Sequence, residues 1–210
     1  VVLGTLLEEG SRLPPPPTLL RAACPVMSGR CTIVTKIKQE IAFGGGRILN
    51  LSDNNIGAEG AQVVAAAISG GKLPQLQSLS LNNNGIGVEG AKVVAAALLG
   101  GQAPGLLELD LNSNNIGAEG AKVLAAAISG GGFPLLMQLS LNSNNIGAGG
   151  AKLVAAALAG GMAPCVMQVF MGDNNIGAEG AKLVAVAMSE GGVPSRMQWL
   201  WLGGQPREGQ

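Results

Sequence analysis

Histidine and tyrosine are absent from this chain of 210 residues, which holds only three Phe and two Trp. The missing histidine removes the side chain used most often as a general base and as a metal ligand. Cys24, Cys31 and Cys165 are an odd number of cysteines without a Cys-x-x-Cys pair. That pattern argues against a disulfide framework and against a zinc site. We therefore expect reduced thiols, with no metal and no cofactor.

An excess of charge is also missing, because Lys plus Arg and Asp plus Glu number 13 each. Balanced charge gives no reason to expect nucleic acid or an anionic membrane as a partner. No apolar run approaches the roughly 20 residues that cross a bilayer, and the short apolar stretch before Glu8 lacks the basic flank of a secretory signal. The sequence predicts a cytoplasmic protein without a small-molecule substrate. Because the chain begins at Val1 rather than Met, a lost targeting segment and a longer parent protein stay open.

The chain has instead a strict 30-residue repeat. The octapeptide NNIGAEGA, which begins at Asn54, recurs with small changes from Asn84, Asn114, Asn144 and Asn174. A fixed period of this length is typical of a stacked solenoid rather than of a globular core around a buried active site. Function is then expected on a surface.

Each copy contains a strand signal followed by a helix signal. The pattern Leu-x-x-Leu-x-Leu, ending for example at Leu81, places alternate side chains on one face of a short strand. Within residues 91–98, small and apolar side chains share one helical face, and Gly100-Gly101 suits a left-handed C-terminal cap. Parallel strands stack about 4.8 Å apart. Because the helices are bulkier, the stack should curve with its strands on the concave side.

The full motif, Leu-x-x-Leu-x-Leu-x-x-Asn-x-Ile-Gly-x-x-Gly-Ala over residues 76–91, resembles the leucine-rich repeat of the ribonuclease-inhibitor-like type. The resemblance implies an α/β horseshoe with parallel strands on the concave face and helices on the convex face. It also implies a non-catalytic module that binds another protein. Ran GTPase-activating protein and the sensor ends of NOD-like receptors carry similar repeats. A GTPase regulator and a repeat arm of a larger receptor or scaffold therefore stay as alternatives.

The repeat divides the chain into four zones. Residues 1–28 should be irregular, because the four prolines Pro14 to Pro17 prevent a helix. Residues 29–46 carry apolar side chains at helical spacing and are predicted to form a degenerate capping helix. Residues 47–202 are the array, with five full repeats and a final strand. Residues 203–210 are predicted to be a flexible tail.

Several repeated residues are interpreted as scaffold. One inward asparagine in each copy can satisfy the backbone of the turn after its own strand and of the neighbouring turn. This predicted ladder comprises Asn54, Asn84, Asn114, Asn144 and Asn174. The Gly-x-x-Gly that follows each of them is not a phosphate loop, because Lys-Ser or Lys-Thr does not follow it.

Function should lie where the copies differ and side chains face outward. Counted in steps of 30, the central concave position reads Asn50, Ser80, Asp110, Ser140, Phe170 and Leu200. Glu108 and Asp110 share a strand face about 7 Å apart, and on an open surface a contact to a basic partner is favoured over acid–base catalysis. Phe170 beside Leu200 would form an exposed apolar patch. The predicted partner-binding residues are Glu108, Asp110, Ser140, Phe170 and Leu200.

The same count places Trp199 and Trp201 at positions that Leu, Val or Met holds in earlier copies. We therefore expect the two indoles to close the open end of the array as a cap. For Phe170, binding and capping are balanced alternatives.

Overall fold

The computed structural model describes residues 35, 38–39, 41 and 46–203. Within these residues, six short strands alternate with five helices. The strands are β1 (Ile48–Asn50), β2 (Ser78–Ser80), β3 (Glu108–Asp110), β4 (Gln138–Ser140), β5 (Gln168–Phe170) and β6 (Trp199–Trp201). The helices are α1 (Gly57–Ser69), α2 (Gly87–Leu99), α3 (Gly117–Ser129), α4 (Gly147–Ala159) and α5 (Gly177–Gly191).

The strands form one parallel sheet in the order β1 to β6. From β1 to β5, each strand pairs with the equivalent residues of the next copy, as Leu79 pairs with Leu109. The central residue of each strand points into the core, whereas the flanking residues face the opposite side. The predicted α/β leucine-rich-repeat solenoid is confirmed.

A single core runs along the array between sheet and helices. It is made of thin layers in which strand leucines such as Leu79 and Leu81 meet helical residues such as Val94 and Leu98. Phe133 is the one aromatic side chain in the core of the described residues. Each layer between the sheet and the helices is thin, so Leu, Val, Ile and Ala side chains fill it without further aromatic rings. This explains the low aromatic content of the chain.

Neighbouring helices approach closely because small residues line their contacts. A Cβ atom built on Gly90 would lie 3.1 Å from the Cβ of Ala61, and one built on Gly120 would lie 3.3 Å from the Cβ of Ala91. Both values are at the short limit of carbon–carbon contact. The second glycine of each Gly-x-x-Gly therefore serves helix packing.

One left-handed position in each turn after a strand is always occupied by Asn or Gly. Asn55, Gly85 and Asn115 occupy equivalent positions after their strands, with φ between 49° and 61°. Gly101 has φ of 71° just after α2. Only Gly, and to a lesser degree Asn, adopts such angles at little cost.

The inward asparagines link the five full repeats to one another. The backbone N–H of Asn84 donates to Oδ1 of Asn114 at 3.1 Å, and Nδ2 of Asn114 donates to the carbonyls of Leu81 at 2.8 Å and Leu111 at 3.1 Å. One side chain thus bonds to its own turn and to the preceding turn. Backbone N–H to side-chain Oδ1 bonds of the same kind connect Asn54 to Asn84, Asn114 to Asn144, and Asn144 to Asn174.

The predicted capping helix is described only in part. Thr35, Lys38, Gln39 and Ile41 are helical, and Ile41 packs against the core. The remainder of residues 29–45, the Pro-containing segment 1–28 and residues 204–210 of the predicted tail lie outside the described residues.

The last repeat departs from the regular period. Helix α5 has 15 residues, whereas each of the other four helices has 13. Pro194 is buried and its carbonyl accepts from the N–H of Met197, as the carbonyl of Ala163 accepts from Val166. Pro194 is therefore equivalent to Ala163, one position later than the period predicts. As a result, β6 pairs with β5 so that Val169 lies beside Leu200.

Candidate functional site

The outward residues of the sheet form the candidate binding face. In the first strand position they are Ile48, Ser78, Glu108, Gln138, Gln168 and Trp199. In the third position they are Asn50, Ser80, Asp110, Ser140, Phe170 and Trp201. We call these two rows the concave face. After the exposed Ile48 on β1, its side chains change from polar, through acidic, to aromatic along the array.

Glu108 and Asp110 lie on β3 and accept hydrogen bonds from uncharged groups. The hydroxyl of Ser78 donates to Oε2 of Glu108 at 3.1 Å, and that of Ser80 donates to Oδ2 of Asp110 at 3.3 Å. The N–H of Asn112 donates to Oδ1 of Asp110 at 3.0 Å. These hydrogen bonds orient both carboxylates while leaving their negative charge unpaired with any cation in the described part of the chain.

No group of side chains suited to hold a metal ion occurs among residues 46–203 or the few described before them. The carboxylates lie on an open sheet surface rather than in a cleft. The arrangement is suited to attract a cationic group on a partner.

Ser140 corrects one prediction. It lies on the concave face, but only 4% of its surface is exposed, and its Oγ is 3.4 Å from the Nε2 donor of Gln138. It sits in the sheet between Asp110 and Phe170. The expectation that Ser140 offers an open contact to a partner is therefore wrong for this structure.

The positions of Leu200 and the two tryptophans also differ from those predicted. Leu200 is the inward residue of β6 and packs against the core, so it is not a concave contact. Trp199 and Trp201 are 63% and 57% exposed and lie on the concave face beside Gln168 and Phe170. The prediction that the indoles cap the array by replacing core leucines is wrong.

The sequence did contain a signal for this register. Met197-x-x-Leu200-x-Leu202 repeats the Leu-x-x-Leu-x-Leu pattern if one residue is inserted before it. A uniform count hides that match, because Pro194 still follows Pro164 at the regular interval. The insertion moves the indoles from the core side of the strand to its outer side.

Phe170, Trp199 and Trp201 form what we call the aromatic patch. They are contributed by the adjacent strands β5 and β6, and Phe170 lies directly beside Trp201. A Cβ atom built on Gly203 would lie 2.5 Å from Cζ2 of Trp201, so the indole extends over this glycine. The patch is the one place in the described residues where aromatic rings lie at the surface.

The segments 47–65, 72–95, 104–125 and 134–155 match the family model described as Leucine Rich repeat. The chain is a leucine-rich repeat protein. No curated protein matches it. In the described part of this leucine-rich repeat protein, no helix is sufficiently long and apolar to span a bilayer.

The family match separates the two halves of the candidate site. Glu108 and Asp110 lie inside the matched segment 104–125, whereas the aromatic patch lies beyond residue 155, where the matched segments end. The sheet of the leucine-rich repeat protein nevertheless continues unbroken through β5 and β6. The same scaffold therefore presents the acidic pair and the aromatic patch on one surface.

A shallow cavity of about 330 Å³ adjoins the aromatic patch at the outer edge of β6. Its walls include Val184 and Met188 from α5 and Met197, Leu200 and Leu202 from around β6. Trp199 contributes to the cavity wall and to the concave face. The apolar surface thus extends around the end of the described array.

Proposed function

We propose that this chain is a non-catalytic module that binds another protein on its concave face. The observation that carries the proposal is the exposure of Trp199 and Trp201, at 63% and 57%. Large indoles are seldom left in water without a role, and exposed aromatic clusters commonly mark binding sites. Leucine-rich repeats generally bind other proteins, which supports the same reading.

The convex face supports the proposal by contrast. Its charged side chains form local pairs along the helices, with Nζ of Lys92 2.7 Å from Glu89 and Nζ of Lys122 3.8 Å from Glu119. Exposed pairs of this kind contribute only about 0.3–0.5 kcal/mol each. Because the helices repeat nearly unchanged while the concave residues vary, specific recognition is assigned to the concave face.

Two finer assignments belong to the proposal. The ribonuclease-inhibitor-like subtype is supported by the Asn-x-Ile-Gly-x-x-Gly-Ala part of the motif, and an intracellular setting is supported by the free thiol of Cys165. A repeat arm of a larger receptor or scaffold would use the same face.

The test is affinity capture from extracts of cells that express the protein, with bound proteins quantified by mass spectrometry. We expect the double substitution Trp199→Ser with Trp201→Ser to reduce recovery of specific partners at least about tenfold, the effect of losing a typical hot spot. Lys122→Ser with Lys152→Ser on the convex face is the matched control and should leave recovery unchanged. An equal loss of partner recovery in both double variants would contradict the assignment of binding to the concave face.

The non-catalytic part of the proposal needs a separate assay. The purified chain should leave GTP hydrolysis by a panel of small GTPases unchanged. Acceleration of any member would instead support the GTPase-regulator alternative.

A further inference from the structure

The charge of the concave face is confined to one strand. Among the strand residues of the described sheet, Glu108 and Asp110 are the only ionisable side chains. Their hydrogen-bond partners are hydroxyls and a backbone N–H, and the salt bridges formed by the described residues lie on the helices. The concave face therefore presents two uncompensated negative charges. Phosphate groups would be repelled there, which disfavours nucleic acid as the occupant.

The aromatic patch lies at a defined distance from these charges. Strand β5 is two strands and β6 is three strands from β3, which corresponds to about 10 and 14 Å at 4.8 Å per step. Between them, β4 contributes the amide of Gln138 and the buried hydroxyl of Ser140. An occupant that spans both features must therefore cross β4 without a bulky group pointing into the sheet.

These two features define complementary chemistry. Two carboxylates about 7 Å apart attract a guanidinium or ammonium group, and a guanidinium can bind a carboxylate through two hydrogen bonds. Covering the exposed rings of Trp199 and Trp201 and the half-buried ring of Phe170 with an apolar side chain is favourable, because it removes apolar surface from water. An extended chain advances about 3.1–3.3 Å per residue, so four or five residues bridge about 14 Å.

We propose that the concave face recognises an extended segment of a partner protein that carries an Arg or Lys four or five residues from an apolar side chain. The cationic group binds between Glu108 and Asp110, and the apolar group covers the aromatic patch. This assignment rests on the proposed function and specifies the partner's chemistry.

Peptide rulers test the proposal directly. The probes are acetyl-Arg-(Pro)n-Leu-amide peptides with roughly one, four or nine prolines, because oligoproline is stiff and rises about 3.1 Å per residue. The readout is tryptophan emission, since Trp199 and Trp201 are the only tryptophans and the chain has no tyrosine. We expect the intermediate ruler, in which Arg and Leu are about 15 Å apart, to bind at least about fivefold more tightly than the other two. It should also shift the emission to shorter wavelength.

Charge reversal provides the second arm. Glu108→Lys with Asp110→Lys should lower the affinity for the Arg ruler at least about tenfold and create a preference for the same peptide with Glu in place of Arg. Glu119→Lys on α3 is the matched control, because this exposed glutamate lies on the convex face. It should leave the length optimum and the charge preference unchanged.

The outcomes separate this proposal from the broader one. If the tryptophan variants abolish partner capture but the rulers show neither a length optimum nor a charge preference, the concave face still binds a protein and the stated chemistry is wrong. If the emission shifts with protein concentration alone, the occupant is a second copy. If deletion of residues 1–28, which keeps Ile41 on the core, shifts the emission to longer wavelength without peptide, the occupant is the chain's own N-terminal segment. Either of the last two results would also overturn the proposal.

Discussion

The indole of Trp201 lies so close to Gly172 that a Cβ atom at position 172 would be 3.2 Å from the indole Nε1. The three preceding copies carry asparagine at the position of Gly172, and in the last of them Oδ1 of Asn142 accepts from the N–H of Gly172 at 2.7 Å. The loss of a side chain at 172 makes room for the indole. Two departures from the repeat, one in each of the last two copies, are therefore parts of a single arrangement.

Substitution of Gly172 should disturb the aromatic patch. In Gly172→Ala the new methyl group would meet the carbonyl oxygen of Gly203 at 2.7 Å and the indole of Trp201. We expect a loss of about 1–3 kcal/mol, typical of overpacking, together with a changed tryptophan emission. Urea denaturation and fluorescence spectra measure the two effects. Gly105→Ala is the control, because its Cβ would make only an ordinary 3.5 Å contact, and an equal effect of both variants would refute the explanation.

The register of β6 predicts opposite responses from adjacent residues. Leu200 packs against the core, so Leu200→Asn should lower stability by about 1–2 kcal/mol, as expected for a partly buried leucine. Trp199 is 63% exposed, and Trp199→Asn should change stability by no more than about 0.5 kcal/mol. Thermal denaturation of the two variants, monitored by circular dichroism, measures both stability changes. The reverse order would support a uniform repeat count through the last copy.

This register marks the limit of prediction from the sequence. The strand, turn and helix of each copy follow from local patterns that need no knowledge of neighbours, and so do the inward asparagines. The position of the indoles depends instead on one inserted residue in a loop, for which Met197-x-x-Leu200-x-Leu202 was the available signal. The burial of Ser140 depends on side-chain packing across three strands, and its own sequence position contains no sign of it.

Two adjacent glycines in α4 should respond oppositely to alanine. A Cβ atom on Gly150 would lie 2.5 Å from Cγ2 of Ile146 and 3.1 Å from the Cβ of Ala121, whereas one on Gly149 meets nothing within 4 Å. Gly150→Ala should therefore cost about 1–3 kcal/mol through overpacking against α3. Gly149→Ala should stabilise by up to about 1 kcal/mol, because alanine favours the helix. The shift of the urea denaturation midpoint, at an unchanged slope of free energy against urea concentration, measures the stability change in each variant. A Gly150→Ala protein as stable as the original would show that α3 and α4 are not in close contact at this point.

Loss of one ladder asparagine should affect two repeats. The side chain of Asn144 is fully buried, donates to the carbonyls of Leu111 and Leu141, and accepts from the N–H of Asn114. Asn144→Ala leaves several buried groups without partners at about 1–3 kcal/mol each, so we expect a loss of about 3 kcal/mol or more.

The control for the ladder is Asn115→Gly, which should be nearly neutral. Asn115 is exposed, has φ of 53°, and is equivalent to Gly85. Hydrogen exchange should show faster exchange in the turns of both adjoining repeats in Asn144→Ala alone. Loss of protection in only one of the two adjoining repeats would contradict the finding that the Asn144 side chain holds both turns.

The direction of the ladder has a consequence for synthesis on the ribosome. The N–H groups of the first four inward asparagines, Asn54, Asn84, Asn114 and Asn144, each donate to the side chain of the following copy. The turn of each of these repeats is therefore completed only by a residue made 30 positions later. At translation rates of about 5–20 residues per second, each nascent repeat waits roughly 2–6 seconds for its partner. The growing chain therefore always exposes one unfinished turn at its newest end, and folding follows translation at a lag of one repeat.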